Sequence, residues 1–201
     1  MRTAYGMIGI GTLVIVGGLY LINHHFTSSA DTGHIVITSN GTATMPKALV
    51  LSSSEFLNDG LIPARYTCDG DQINPPLTIE DVSDDVKSLV LIVNDPDVPK
   101  QIKSDGNFDH WVLFNIPPTT AEIAAGTTAG TPGSNGAGKS EYAAPCPPKE
   151  YEPSEHRYFF KLYGLDSELS LKAGASRAEV ENAMQGHVIA QAELVGTYKR
   201  R

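Results

Sequence analysis

The sequence predicts a mainly β domain, a sandwich or barrel with a few short helices, preceded by an N-terminal transmembrane helix. From Ala48 onward, short apolar segments are separated by strong turn residues, which is the pattern of an all-β domain. One segment near the C-terminus has the start and stop signals of an α-helix. Residues 4–22 form one uncharged apolar run of about the length that crosses a bilayer core.

The N-terminal apolar run reads AYGMIGIGTLVIVGGLYLI, from Ala4 to Ile22. Arg2 precedes it, and positive charge before an apolar run predicts a cytoplasmic N-terminus with the rest of the chain across the membrane. Ser28–Ala30 offers the small residues that a signal peptidase reads, but the run is longer than a usual signal core of about 7 to 15 residues. Residues 1–23 are therefore interpreted as a membrane anchor or a signal segment, with the anchor favoured and the domain extracytoplasmic. If the segment is cleaved, the domain is secreted.

Residues 24–46 are polar and rich in Ser, Thr and Gly, which is typical of a flexible linker. The histidines of this segment, His24, His25 and His34, are expected to be solvated, because a metal site needs a scaffold. Residues 47–201 then form a single domain of ordinary size. The whole chain has 15 basic and 23 acidic residues and a formal net charge of -8, with no basic stripe, which argues against nucleic acid as a partner.

Six candidate strands follow from the apolar segments and the turn residues between them. They are Ala48–Ser52, Leu77–Ile79, Lys87–Asn94, His110–Ile116, Arg157–Gly164 and His187–Gly196. The third contains the continuous run Leu89–Val93, which predicts a strand buried on both faces. The helix signal is a capping box of Ser176 and Glu179, with Ala178–Met184 as its body and Gly186 as its stop.

The strand at Lys87–Asn94 ends in Asp95-Pro96-Asp97, two carboxylates on either side of a proline. Pro96 ends the strand and restricts the backbone of Asp95, which is expected to lie at the strand mouth with a nearly fixed direction. Taken alone, the stretch favours an ordinary turn, since Asp and Pro are common turn residues.

Beyond the linker there are three histidines, His110, His156 and His187, and the first two stand at the beginnings of predicted strands. Strand alternation places His110 on one face with Val112, Phe114 and Ile116, and places His156 on one face with Tyr158, Phe160 and Leu162. With Asp95 at a third strand end, these residues predict a pocket with an apolar floor and a few polar groups.

The two cysteines, Cys68 and Cys146, both lie in the part predicted to be exported, where a disulfide can persist. If they pair, they close a loop of about 78 residues and stabilise the fold by about 4 kcal/mol in the chain-entropy model. The alternative is two separate thiols, and spacing alone does not decide between them.

Six motifs together resemble one family. They are YTCDGDQINPPL, DPDVP, HWVLFNIPP, YAAPCPP, HRYFFKLYGLD and AMQGHVIAQAELVGTYKR. In this order they are similar to the phosphatidylethanolamine-binding protein (PEBP) family, in its bacterial Raf kinase inhibitor-like branch, over about residues 49–200. The resemblance implies a PEBP-like Greek-key β-sandwich with a small anion-binding cavity.

When the motifs are matched residue by residue, the resemblance implies a cavity that is lined by six residues and shaped by two further residues and one segment. The lining residues are Asp95, Pro96, Asp97, His110, His156 and Tyr158, and Pro99, Arg157 and Pro145–Pro148 shape the cavity. A carboxylate beside a histidine favours the cationic ring, which can donate to phosphate oxygens, while Asp95 could accept from an ethanolamine ammonium.

The expected protein is therefore a membrane-tethered binding module for a phosphate-containing small molecule or a phospholipid headgroup. It is expected to need neither cofactor nor metal, and to modulate or inhibit an unknown partner protein. No catalytic constellation stands out, so it is predicted not to be an enzyme.

Three alternatives to this function involve an enzyme or a nucleotide-binding site. His110, His156 and Asp95 could hold a metal ion in a metal-dependent hydrolase. A serine hydrolase would need a nucleophile elbow, whereas Ser134 lies in a flexible Gly-rich loop. The stretch GSNGAGKS, Gly133–Ser140, fits the formal P-loop pattern, but no strand before it or helix after it is predicted, which indicates a chance match.

Overall fold

Two β-sheets organise this computed structural model, which describes residues 48–200. The strands are β1 Val50–Ser52, β2 Gly60–Leu61, β3 Leu77–Glu80, β4 Ser88–Asp95, β5 Phe108–Ile116, β6 Glu122–Ile123, β7 Thr131–Pro132, β8 Glu155–Leu165 and β9 Val188–Lys199. Among these described residues, one α-helix, α1, spans Arg177–Met184, and one 3-10 helix spans Ala64–Tyr66. The larger sheet has the order β2-β9-β8-β4-β5-β7, and the smaller sheet has the order β1-β3-β6.

The main core lies between the two sheets, and a second apolar cluster lies under α1. Leu51 and Ile79 of the smaller sheet pack in one cluster with Leu91 and Phe160 of the larger sheet. Strand β4 is buried along its whole length because its alternate residues serve both clusters. A mainly β fold with few helices is therefore confirmed. The continuous apolar run in β4 belongs to a strand that is buried on both faces, as the sequence predicted.

All six predicted strands are present, with ends that differ by a few residues. The three strands that the sequence did not predict are β2, β6 and β7, each only two residues long. Two residues are too short for a period of apolar residues to show. The predicted helix is also present as α1, with both hydrogen bonds of its capping box between Ser176 and Glu179.

Strand β5 departs from the predicted alternation because it contains two irregularities. Val93 and Asn94 of β4 pair with Trp111 and Asp109, so His110 is an extra residue between them. A second shift lies near the end of the strand, where Asn115 has a φ of 51°. The predicted single face of His110, Val112, Phe114 and Ile116 is therefore wrong: Ile116 packs in the core between the sheets, whereas Val112 and Phe114 pack under α1.

The predicted anchor, residues 1–23, and the predicted linker, residues 24–46, lie outside the described residues. Within residues 48–200, no helix is long and apolar enough to span a membrane.

Candidate functional site

A pocket of about 360 Å³ opens where β4 ends and where β5 and β8 begin. Three polar side chains line it, those of Asp95, His110 and His156. The remaining lining residues are apolar or belong to a cystine: Val98, Ile102, Phe108, Ala143, Ala144, Cys146, Pro147 and Pro148. Neither Lys nor Arg is among them, so the polar end of the pocket consists of one carboxylate and two imidazoles.

Asp95 is the last residue of β4 and is 3% exposed. Its Oδ1 accepts a hydrogen bond from the backbone N–H of Asp97 at 2.8 Å, which closes the turn around Pro96. Its Oδ2 lies 2.7 Å from Nδ1 of His156. One carboxylate therefore shapes the turn and also orients a histidine of the pocket, so the turn and the site are the same structure.

His110 is held by the backbone of the opposite pocket wall. Its Nδ1 lies 2.6 Å from the carbonyl oxygen of Ala143, and its Nε2 lies 4.0 Å from Oδ2 of Asp95. The β5 irregularity at this residue places its ring edge-on to Tyr158, with 5.1 Å between ring centroids.

Burial lowers the pKa of His110, and the opposing influences of Ala143 and Asp95 are smaller. The Asp95 carboxylate favours the cationic form of this ring, as predicted, but at His110 the loss of solvation outweighs that attraction.

His156, the second residue of β8, is 1% exposed. A carboxylate oxygen accepts, so the ring hydrogen of the 2.7 Å contact lies on Nδ1 and is donated to Asp95. The other ring nitrogen, Nε2, is buried and has no hydrogen-bond partner within residues 48–200. A buried nitrogen without a partner in the wall of a pocket is a natural contact point for a ligand.

Pro96, Asp97 and Tyr158, also predicted as lining residues, lie elsewhere. Pro96 and Asp97 line a separate shallow groove together with Pro99. Asp97 accepts from the backbone N–H, Nε and Nη2 of Arg157 at 3.0, 2.8 and 2.6 Å. This pairing lowers the pKa of the Asp97 carboxyl. The pairing of Asp97 with Arg157 thus attaches the loop that follows β4 to strand β8.

Tyr158 is fully buried behind the ring of His110. Its hydroxyl has no hydrogen-bond partner within residues 48–200, and burial raises its pKa, so it remains protonated. Tyr158 supports the position of His110 and is not part of the pocket lining.

The pocket wall at residues 143–148 is tied to the rest of the domain in three places. Ala143 donates its N–H to the carbonyl of His110 at 2.8 Å, and Cys68 donates its N–H to Pro145 at 3.0 Å. Cys146 is joined to Cys68 by a disulfide with 5.3 Å between the Cα atoms. Of the two alternatives for the cysteines, the structure has the paired one.

Comparison with known proteins identifies the family. A family model of phosphatidylethanolamine-binding proteins matches residues 52–199, well over half of the chain. The chain belongs to the phosphatidylethanolamine-binding protein family. The resemblance seen in the motifs is thereby confirmed at the level of the PEBP family.

Individual PEBP relatives come from archaea and bacteria. A UPF0098 protein of Pyrococcus horikoshii is 50% identical over 158 residues, which cover 74% of this chain and 76% of the relative. The crystal structure of a putative PEBP homolog from Chlamydia trachomatis has a TM-score of 0.73 and 42% identity, covering 77% of this chain and 99% of that one. A structure from E. coli, described as a member of the mammalian PEBP family, has a TM-score of 0.68 and 25% identity, covering 77% and 100%.

Sequence reasoning missed several apolar residues of this PEBP pocket, namely Ile102, Phe108, Ala143 and Ala144. Ile102 and Ala143 lie in loops, where no period of apolar residues marks an inward side. Ala143 takes part in the site through its backbone carbonyl, which contacts His110. Every residue has such a carbonyl, so the amino-acid sequence does not single this one out. Phe108 could have been found, since it stands two residues before His110 in the same apolar segment.

The metal-dependent alternative is not favoured in this PEBP domain. Asp95, His110 and His156 do lie together at one end of the pocket. Among residues 48–200, no group of three or more His, Cys, Asp or Glu is placed to hold a metal ion.

The P-loop alternative lacks its structural context. The stretch Gly133–Ser140 follows the two-residue strand β7, and the next helix in the chain is α1. Its backbone N–H groups at Ala137 and Lys139 already donate to Oδ1 of Asn135, at 2.9 and 3.0 Å. The loop is therefore closed by its own asparagine and does not present these amides to a phosphate.

Proposed function

We propose that this PEBP domain is a binding module whose pocket takes a small anion, either a phosphate-containing small molecule or a phospholipid headgroup, without turnover. The observation that carries the proposal is the buried pair of Asp95 and His156 at the polar end of an otherwise apolar pocket, with Nε2 of His156 unpartnered. A phosphate ester has a polar end and a carbon chain. The polar end of the pocket can take the phosphate group, and its apolar walls can take the carbon chain.

Size and wall chemistry support a small ester. The volume of about 360 Å³ is near the lower end of ligand pockets, which span roughly 300 to 1,000 Å³. Phe108, Pro147 and Pro148 can contact the carbon atoms of an ester, while the polar end of the pocket faces its oxygens. An ethanolamine ammonium could donate to Asp95, so a zwitterionic headgroup would find partners for both charges. The name of the family also supports a headgroup ligand for this member.

The test is calorimetric titration of the full-length protein in detergent micelles with methyl phosphate and with phosphoethanolamine. His156→Ala is expected to weaken binding about 5- to 150-fold, or roughly 1 to 3 kcal/mol, because it leaves the buried carboxylate of Asp95 without its 2.7 Å hydrogen bond at the polar end of the pocket. His187→Ala serves as the matched control, because His187 is half-exposed and pairs with Asp166 away from the pocket. If His156→Ala binds both probes as the wild type does while its circular dichroism is unchanged, the pocket is not the binding site.

We also propose that residues 1–23 tether the domain to a membrane, with the domain on the extracytoplasmic side. The uncharged run of residues 4–22 and the disulfide between Cys68 and Cys146 support this location, because disulfides persist outside the reducing cytosol. In cells that express the full chain, carbonate extraction at alkaline pH should leave the protein in the membrane. A variant without residues 4–22 should be released, and its retention in the membrane would contradict the tether.

Modulation of a partner protein is the third element of the proposal. The motifs resemble the bacterial Raf kinase inhibitor-like branch of the family, which supports a role as modulator or inhibitor. In this role the pocket would be a recognition site, and the protein would not be an enzyme.

A further inference from the structure

We infer that an anion enters this pocket together with one proton, which is held on Nε2 of His110 between the ring and the anion. This inference rests on the proposed function, since it concerns how the same pocket accepts its anion. It also defines the ligand class: anions that the pocket can neutralise with one proton, in the absence of a fixed cation.

The hydrogen bond to Ala143 defines the tautomer of His110. The carbonyl oxygen of Ala143 can only accept, so the hydrogen of the 2.6 Å contact lies on Nδ1 of the ring. In the neutral ring, Nε2 therefore carries a lone pair. Nε2 lies 4.0 Å from Oδ2 of Asp95, which is another acceptor.

His156 presents the same problem to an anion. Its Nδ1 donates to Asp95, so its Nε2 is also an acceptor when the ring is neutral. The polar end of the pocket then consists of acceptors only, namely a carboxylate and two ring nitrogens. The oxygens of an anion are acceptors as well, and without an added proton they would find repulsion and no hydrogen bond.

Within residues 48–200, the groups found around His110 include no fixed cation that faces its ring. From β4 it meets Asp95, and from β8 it meets His156 and the protonated hydroxyl of Tyr158. On its own strand it adjoins Asp109, which pairs with Arg177 of α1 at 2.9 Å. Of two further groups nearby, Arg157 is bound to Asp97, and Cys146 in the facing wall is in a disulfide and does not titrate.

A proton on Nε2 of His110 would convert this end of the pocket from repulsive to attractive. The cationic ring would donate from Nδ1 to Ala143 and from Nε2 to the anion, and its charge would balance Asp95. Burial lowers the pKa of the unliganded ring, so at neutral pH this proton is absent before binding and is taken up with the anion.

The test counts protons by calorimetry on the full-length protein in detergent micelles. The probe is methyl sulfate, whose charge does not change between about pH 5 and 8, the range in which histidine titrates. Methyl phosphate is titrated in parallel. At neutral pH, the titration is repeated in buffers of different ionisation enthalpy. The slope of the observed binding enthalpy against the ionisation enthalpy should correspond to about one proton taken up per methyl sulfate bound. The dissociation constant should rise roughly tenfold per pH unit above the pKa of His110.

His110→Asn is the informative variant, because an asparagine amide can still donate to Ala143 but offers no second ring nitrogen. Proton uptake should disappear in His110→Asn and persist in His187→Asn, the control at a half-exposed histidine paired with Asp166. A wild type that binds methyl sulfate with no dependence on buffer or pH would overturn the inference, as would unchanged uptake in His110→Asn.

Two further outcomes separate this inference from the proposed function. If methyl phosphate binds and methyl sulfate does not, the proton belongs to the ligand: the anion pocket stands and the inference falls. If neither probe binds at any pH in this range, the proposed function fails, and the inference fails with it.

Discussion

At the scale of single residues, the two carboxylates of the Asp95-Pro96-Asp97 stretch have different roles. Asp95 closes the turn and orients His156 inside the pocket. Asp97 instead accepts three hydrogen bonds from Arg157, whose side chain is 56% exposed. Two residues apart in sequence, one carboxylate belongs to the candidate site and the other to the frame that supports it.

Replacing Asp97 with Asn tests this division. Arg157 lowers the pKa of Asp97 in the folded state, so its stabilising effect is present above the unfolded pKa of about 3.9 and is lost as pH falls through the folded value. Because the partner side chain is largely exposed, we expect Asp97→Asn to lower the free energy of unfolding by only about 1 kcal/mol at neutral pH. Urea unfolding at neutral pH and well below pH 3.9 measures the difference.

Asp84→Asn, at an exposed loop residue, provides the comparison for this measurement. A difference between wild type and Asp97→Asn that stays constant in acid would contradict the assigned role of the charge.

At the scale of elements, β5 determines the geometry of the pocket through its two irregularities. An extra residue at His110 re-aims its ring toward Tyr158, away from the face of Val112. At the other end, Asn115 adopts a left-handed conformation and returns Ile116 to the core between the sheets. Irregularities of this kind often occur next to binding sites, where they redirect a side chain.

Asn115 provides a test of the second irregularity. Its side chain donates to the carbonyl of Leu169 at 2.9 Å and accepts from the N–H of Leu169 at 2.8 Å. Asn115→Ala removes both bonds and places a side chain that disfavours φ near 51° at this position. We expect the free energy of unfolding to fall by about 2 to 3 kcal/mol, measured by urea titration.

Asn115→Gly separates the two causes, because glycine accepts the left-handed conformation but lacks the hydrogen bonds. It should be destabilised less than Asn115→Ala. Equal stability of Asn115→Ala and the wild type would show that the strand end does not depend on this residue.

At the scale of the whole molecule, the disulfide joins a segment between β2 and β3 to the pocket wall between β7 and β8. Cys68 and Cys146 are separated by 78 residues along the chain. Between them lie β3 to β7, so the bridge closes a loop that contains much of both sheets. The same bridge positions Cys146 at the pocket, which connects global stability to the shape of the candidate site.

Reduction of the disulfide should therefore lower the stability of the whole domain. For a loop of this length, the chain-entropy model predicts a loss of about 4 kcal/mol in the free energy of unfolding. Urea unfolding with and without a phosphine reductant measures the loss. The Cys68→Ser/Cys146→Ser double variant should be destabilised similarly and should not respond to the reductant. If the reductant leaves wild-type unfolding unchanged, the bridge does not constrain the unfolded chain.

Much of the fold could be read from the sequence because its signals are local. The buried run Leu89–Val93, the capping box at Ser176 and the turn residues between strands each reflect interactions within a few residues. The family followed from six motifs in order. The candidate site was readable in part, since Asp95, His110 and His156 stand at or near strand ends that a sheet brings together.

By itself, the sequence determined the mainly β class, the major strands, the helix and the family, because these depend on local patterns and on motif order. Only the tertiary structure decided which residues line the pocket. It moved Asp97 and Tyr158 out of the lining, brought in the Ala143 carbonyl, and buried His110 deeply enough to lower its pKa. Burial and long-range hydrogen bonds arise between segments far apart in the chain, and no local pattern of residues encodes them.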